Sequence, residues 1–332
     1  VCKGGNMYAF WHNDIWNTDM HDLIDIIDNE VAAKTKAFTE LNPETDIQAL
    51  YMRHHDSNIM KKFGEYTRQM PESDVQFNSN IIFSDQKIKR EDYATEQLSY
   101  TPAPGDTPAF DEMFDKLYEQ EEMIKIMWFI GAVLTNSMKK IEKFLFLYGG
   151  KGTGKGTIIS VFKKLFEGYY APIDLHRLTS GSEFATGGIK ETPLLIDDDA
   201  DLYSIKDDTN LLKLTSHDPI QINNKYQSTY TVTFEGLLVA ASNQPYRVRN
   251  IDSGITRRAV VAKPTNQKHD YDTYHRLIKQ IDFELAHIAQ KAIDLFESMG
   301  PGAYENYVDY SMMEATDHFY DYMRENAVAL GE

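Results

Sequence analysis

The stretch Gly149-Gly150-Lys151-Gly152-Thr153-Gly154-Lys155-Gly156-Thr157 constrains the fold more than any other part of the chain. It follows a short apolar run, Phe144 to Tyr148, and precedes Ile158 to Phe166, whose apolar residues recur at helical spacing. Strand, glycine-rich turn and helix in that order form a phosphate-binding loop. The glycines let backbone N–H groups turn inward around phosphate oxygens, and the helix adds its positive N-terminal end. Residues Gly150 to Thr157 are the candidate cradle, and Lys155 is placed to reach terminal phosphates. One departure stands out: Gly156 follows the lysine, so the hydroxyl that usually holds magnesium comes one residue later, at Thr157. A glycine-rich turn without a ligand is the alternative, and the same GKGT ending occurs in nucleotide kinases.

Two further apolar runs, Leu194 to Ile196 and Leu237 to Ala241, have the length of strands buried on both faces of a parallel sheet. The first leads into Asp197, Asp198 and Asp199, which places carboxylates at a strand end beside the phosphate loop. Phosphoryl transfer depends on positioning and charge, so Asp197 is assigned to a metal and Asp198 to the attacking water, with a solvated acidic loop as the alternative. The second run ends in Ser242-Asn243-Gln244-Pro245, where Asn243 either reaches the γ-phosphate or its attacking water, or forms a turn before the proline. Between the runs, Tyr230, Val232 and Phe234 alternate with threonines, as in a hairpin arm. Arg257 and Arg258 precede the apolar Ala259 to Val261. A guanidinium there either completes a neighbouring subunit's site, as an arginine finger does, or belongs to an ordinary surface pair.

Strands alternating with helices imply an α/β core. Residues 1–100 read as a mainly helical accessory domain whose end, from Ile81 to Pro108, is a linker. Residues 101–143 read as a helical collar, 144–265 as the core and 266–332 as a C-terminal helical domain. The net charge of -17 argues against broad coating of nucleic acid and requires any DNA contact to be local, as in a ring channel. A single cysteine, Cys2, excludes an internal disulfide, and no histidine–cysteine spacing suits structural zinc. With no apolar run near membrane length and no secretory pattern, the expectation is a soluble protein without membrane partners. The start at Val1 leads us to expect a piece of something longer.

Taken in order, GGKGTGKGT, LLIDDDADL, LLKLTSHDPIQINNKYQSTYTVTF, LLVAASNQP and GITRRAVV resemble the superfamily 3 helicases. The likeness is to the C-terminal motor of phage, plasmid and poxvirus-type primase-helicases, and FWHNDIW and the run from QFNSNIIF to AVLT extend it upstream. The resemblance implies an AAA+ P-loop core with a parallel sheet, flanked by helical N-terminal and C-terminal domains. It further implies ATP and Mg2+ as cofactors, a hexameric ring, and 3′ to 5′ movement on single-stranded DNA in the central channel. A linked primase or polymerase domain upstream, and the cytoplasm of a bacterial host, also follow from it. By the same match Lys155 and Thr157 act at phosphate and magnesium, Asp197 and Asp198 at metal and water, Asn243 as sensor, and Arg257 or Arg258 as finger. A hairpin between the acidic and sensor strands would carry Asn223, Asn224, Lys225 and Tyr226 to DNA, where an exposed turn is the alternative. Two other readings stay open: a nucleotide or small-molecule kinase, and a DNA-encircling scaffold with little turnover.

Overall fold

The structure is a computed structural model and describes residues 2–4, 7–44, 77–179, 192–203, 207–222, 230–246 and 254–314, with positions 61, 65, 69, 189 and 205. The chain divides into two compact units, residues 1–76 with 88–95, and residues 77–87 with 96–332.

The first unit opens with three strands and continues into a long helix. Strands β1 (Cys2–Gly4), β2 (Met7–His12) and β3 (Ile15–Asn17) form an antiparallel sheet in that order, and helix α1 (Met20–Leu41) follows. The reversal between β2 and β3 uses Asn13 and Asp14, both at positive φ, 52° and 59°. Asn and Asp tolerate that conformation better than other side chains, and two such residues make a tight hairpin turn. Trp11 and Trp16 then face each other in register and meet edge-on, with ring centroids 5.8 Å apart. Trp16 also stacks on Tyr93 and donates its indole N–H to Arg90 O at 2.8 Å. A short antiparallel hairpin is marginal alone, and such aromatic cross-strand pairs are what hold one together.

The second unit is built on a five-stranded sheet. Helices α2 (Pro108–Leu117) and α3 (Gln120–Leu134) lead into β4 (Phe144–Tyr148). Next come α4 (Lys155–Leu165), β5 (Tyr170–Pro172), α5 (Leu175–Thr179), β6 (Leu194–Asp197) and α6 (Thr209–Thr215). The strands β7 (Ile220–Ile222) and β8 (Tyr230–Val232) follow, then β9 (Leu237–Ser242), α7 (Gly254–Arg258) and β10 (Ala259–Ala262). Helices α8 (Tyr271–Gln280), α9 (Leu285–Met299) and α10 (Tyr310–Glu314) complete the order. The sheet runs β10-β4-β9-β6-β5 with every pair parallel, so β9 lies between the loop-bearing β4 and the acid-ended β6.

Both faces of the sheet are covered. Leu145 and Leu147 of β4 join a core with α2, α3, α4 and α9, while Phe144 and Phe146 join a second core with α5, α6, β7 and β8. Two-sided burial explains why these strands read as continuous apolar runs. The arrangement is α/β, a five-stranded parallel sheet between layers of helices. No helix among the described residues is long and apolar enough to cross a membrane.

The collar and C-terminal helices share the first of these cores, so residues 101–143 and the described residues from 266 onward form one compact unit with the sheet. Helix α3 is buried continuously from Ile126 to Leu134. It crosses α9 so closely that a Cβ on Gly131 would stand 2.2 Å from Ala292 O. The stretch read as a linker is also partly anchored in this unit: Ile81 and Leu98 are in the core, and Tyr100 donates its hydroxyl to Leu165 O at 2.9 Å.

A buried carboxylate ties the two helical segments together. Pro108 opens α2 without an N–H, and the next two amides, of Ala109 and Phe110, donate to Glu284 Oε1 and Oε2, each at 2.9 Å. The residues are 175 and 174 positions apart in sequence. Hydrogen bonds to a charged acceptor are worth about 1.5–3 kcal/mol, and the helix N-terminus favours the negative charge. Glu284→Ala is therefore expected to lower unfolding free energy by about 2–3 kcal/mol, read from urea denaturation midpoints, with Glu284→Gln losing less. Equal midpoints for parent and Ala variant would show that the contact contributes nothing.

Candidate active site

The loop between β4 and α4 continues the sheet before it turns: Gly149 N donates to Ser242 O on β9 at 3.3 Å. Gly152 and Gly154 have φ of +69° and +105°, a left-handed backbone open to glycine at little cost. Thr153 Oγ1 closes the turn on Gly150 O at 2.8 Å, and Thr157 N reaches Gly154 O at 3.1 Å in the first turn of α4. Lys151, Gly152 and Gly156 are exposed, whereas Thr153, Lys155 and Thr157 are buried. A Cβ on Gly156 would meet nothing within 4 Å, so the position usually filled by a hydroxyl residue opens on free space.

The Lys155 side chain folds back into the loop. Its ammonium donates to Gly149 O at 2.6 Å, Gly150 O at 2.7 Å and Asn243 Oδ1 at 2.9 Å. Burial lowers its pKa, and the negative charge of Asp199 opposes that shift. Asn243 reaches the lysine because β9 is the strand next to β4, and its side chain leaves the sheet edge beside the loop. An asparagine serving only as a turn former would not make that bond.

The three aspartates after β6 point to three places. Asp197 is buried, and its carboxylate accepts N–H groups from Leu175 at 2.8 Å, where α5 begins, and from Asp199 at 3.3 Å. Burial pushes its pKa up to about 6, the two amides pull it down, and the charges of Asp174 and Asp198 raise it further. Asp198 is exposed and pairs with Lys163 on α4 at 2.8 Å. Asp199, passed over in the sequence reading, is the carboxylate whose charge acts on Lys155. The Asp197 carboxylate, where the metal is expected, thus turns toward the start of α5. The cause is strand alternation: Asp197 shares the face of Leu195, which packs in the α5 and α6 core, opposite the face that carries α4.

Arg257 and Arg258 lie at the opposite edge of the sheet. They immediately precede β10, which runs parallel to β4, while the phosphate loop follows the far end of β4. The five residues of β4 separate the two edges by roughly 16 Å. Arg258 is used internally, donating to Leu212 O at 2.5 Å and Thr215 Oγ1 at 2.9 Å. Arg257 is exposed, and among the described residues its guanidinium has no hydrogen-bond or ion-pair partner; its carbonyl accepts from Lys143 Nζ. Strands β7 and β8 pair antiparallel, Ile220 with Val232 and Ile222 with Tyr230. The expected DNA contacts Asn224, Lys225 and Tyr226, with Asn223, lie outside the described residues.

A family of unknown function, DUF5906, matches residues 147–258, the span from the end of β4 to the arginine pair. No curated protein matches the chain in sequence. Among solved structures, the apo C-terminal region of NrS-1 is similar, with a TM-score of 0.54 and 13% identity, covering 96% of this chain and 72% of that one. An A form apo structure of the same region gives a TM-score of 0.51 and 14% identity, covering 98% of this chain and 71% of that one. At such identities the likeness is one of fold, and it extends over both units of the chain.

Proposed function

We propose that this chain is an ATP-driven motor of the superfamily 3 helicase type, moving 3′ to 5′ on single-stranded DNA as a hexameric ring in phage or plasmid replication. The observation that carries the reading is the meeting of Lys155 with Asn243 at the mouth of the loop. It sets a cation for the terminal phosphates and an amide oxygen able to hold a water at one point of the sheet edge. That pairing favours hydrolysis over the kinase reading, because a water needs such an acceptor at the γ-phosphate.

The residues present suit ATP with Mg2+: a left-handed glycine turn at Gly152 and Gly154, a free first helical turn at Gly156, the Thr157 hydroxyl, and an exposed carboxylate at Asp199. Bound magnesium would neutralise charge on the β- and γ-oxygens. Lys155 exchanges the Gly149 and Gly150 carbonyls for phosphate oxygens and keeps its bond to Asn243. Thr157 and Asp199 hold the metal side, in place of Asp197, and Asp198 is free to leave Lys163 and face the water. Arg257 is the finger, since Arg258 is held by α6 and neither reaches its own loop. An arginine that acts only in trans makes the site depend on a neighbouring subunit. Asn224, Lys225 and Tyr226 are the proposed contacts to the DNA in the channel. A primase or polymerase domain upstream completes the reading.

ATP hydrolysis with Mg2+, measured with and without single-stranded DNA, tests it. Stimulation by DNA, and a loss of about 100-fold or more in Lys155→Ala, are expected. An assembled ring without turnover would sink the motor and leave the scaffold. Arg257→Ala is expected to be as inactive as Lys155→Ala, with partial recovery when the two are mixed, because one mixed interface then has an intact loop and an intact finger.

The aspartates separate in a second experiment. Asp199→Asn should abolish magnesium-dependent hydrolysis, whereas Asp197→Asn should retain most of it and change the pH dependence of stability instead. The folded Asp197 carboxyl titrates near pH 6 against 3.8 for a free one, so the folded state binds the extra proton between those values. Its contribution therefore favours folding at low pH and is lost as pH rises through about 4 to 6, a slope that Asp197→Asn removes. Retained hydrolysis in Asp199→Asn with loss in Asp197→Asn would reverse the assignment.

A further inference from the structure

Beyond β10 the chain runs as a strap, residues 264–270, before α8 begins. The strap is fixed to the end of α2. Thr265 N donates to Leu117 O at 2.8 Å, Thr265 Oγ1 donates to Lys116 O at 2.7 Å, and His269 Nε2 lies 3.0 Å from Met113 O. Tyr118 and Pro264 add an antiparallel bridge. Helix α2 in turn touches the phosphate loop, since a Cβ on Gly154 would stand 3.0 Å from Leu117 Cδ1.

Pinned in this way, the strap lies over the loop at two points. Pro264 Cγ is 2.7 Å from where a Cβ on Gly149 would stand, and Lys268 Nζ is 3.2 Å from the same point on Gly152. Gly152 is one of the two left-handed glycines of the turn. Lys268 is exposed, and among the described residues no carboxylate pairs with it. The chain carries 51 acidic against 34 basic side chains. In such a chain, a lysine without a carboxylate partner, held against a phosphate-binding turn, is placed for an incoming anion.

From this placement we propose that Lys268 is a second phosphate-contacting cation of the nucleotide site, reaching the polyphosphate from outside the loop while Lys155 reaches it from within. The inference rests on the reading of the loop as a nucleotide site. Loop amides of this kind cradle the α- and β-phosphates, and the loop lysine serves the β- and γ-phosphates. A cation above Gly152 therefore contacts the part common to ATP and ADP. Its role is binding and orientation of nucleotide, and no step of bond cleavage runs through it.

Calorimetric titration of the full chain with Mg2+–ATP and Mg2+–ADP, at low and moderate salt, tests this in the parent, Lys268→Met and Lys268→Arg. The methionine keeps the apolar stem and removes the charge. Lys268→Met is expected to weaken both nucleotides about tenfold, with a shallower salt dependence, and Lys268→Arg to restore most of the affinity. The melting temperature without nucleotide should stay at the parent's value, since the strap is held by Thr265 and His269. Tight binding by parent and Lys268→Met alike overturns the inference and leaves the nucleotide site standing. A weakened Lys268→Met that arginine does not rescue, with a lowered melting temperature, overturns it too, because the lysine then only packs. Binding by neither protein overturns the site reading, and this inference with it.

Discussion

An ammonium withdrawn from water has to be given acceptors, and Lys155 finds three within reach, two loop carbonyls and the amide oxygen of Asn243. That requirement organises much of the second unit. The two carbonyls are available only because the glycine turn bends back on itself, and the amide is available only because β9 is wedged between β4 and β6. Strand β6 pairs with the other side of β9, its Asp197 level with Ala240. The insertion of one strand thus decides which side chain meets the lysine and moves the acidic cluster a further strand away.

The loop keeps its shape because rigid elements press on it. Leu117 from α2 crowds Gly154, Pro264 crowds Gly149, and the strap after β10 is bonded to α2. Helix α2 starts on the Glu284 carboxylate at the base of α9, and α9 packs on α3 at Gly131. The C-terminal helices are therefore part of the scaffold of the site, although they contribute little to its chemistry. A change at Glu284 acts first on stability and reaches the loop only through α2.

Sequence pattern revealed the sheet with unusual clarity, for a physical reason. Strands buried on both faces must be apolar throughout, so Phe144 to Tyr148, Leu194 to Ile196 and Leu237 to Ala241 stood out almost to their ends. The glycine turn and Lys155 were equally legible, because left-handed backbone leaves a residue signature. Pairing order was not legible, since nothing local says which strand lies beside which. For the same reason the sequence could not say which aspartate faces the lysine: one step along a strand turns a side chain to the other face. The opening hairpin was missed although Asn13-Asp14 between aromatic residues was its signal. Glu284 and Lys268 had no signal, because each acts on residues more than a hundred positions away.

Strand β4 links the two ends of the proposed machine. At one end it delivers the phosphate loop; at the other Lys143, buried just before it, donates to the carbonyls of Arg257 and Tyr307. Burial and the neighbouring Arg258 charge lower the pKa of Lys143, while Glu305 works against that shift. Arg258 is tied to α6, so the turn that presents Arg257 is gripped from two sides while its guanidinium stays exposed. A parallel strand of five residues offers little give along its length. Under the trans-arginine reading, occupancy of a subunit's own loop and the position of the arginine it offers to its neighbour are then connected through one buried strand.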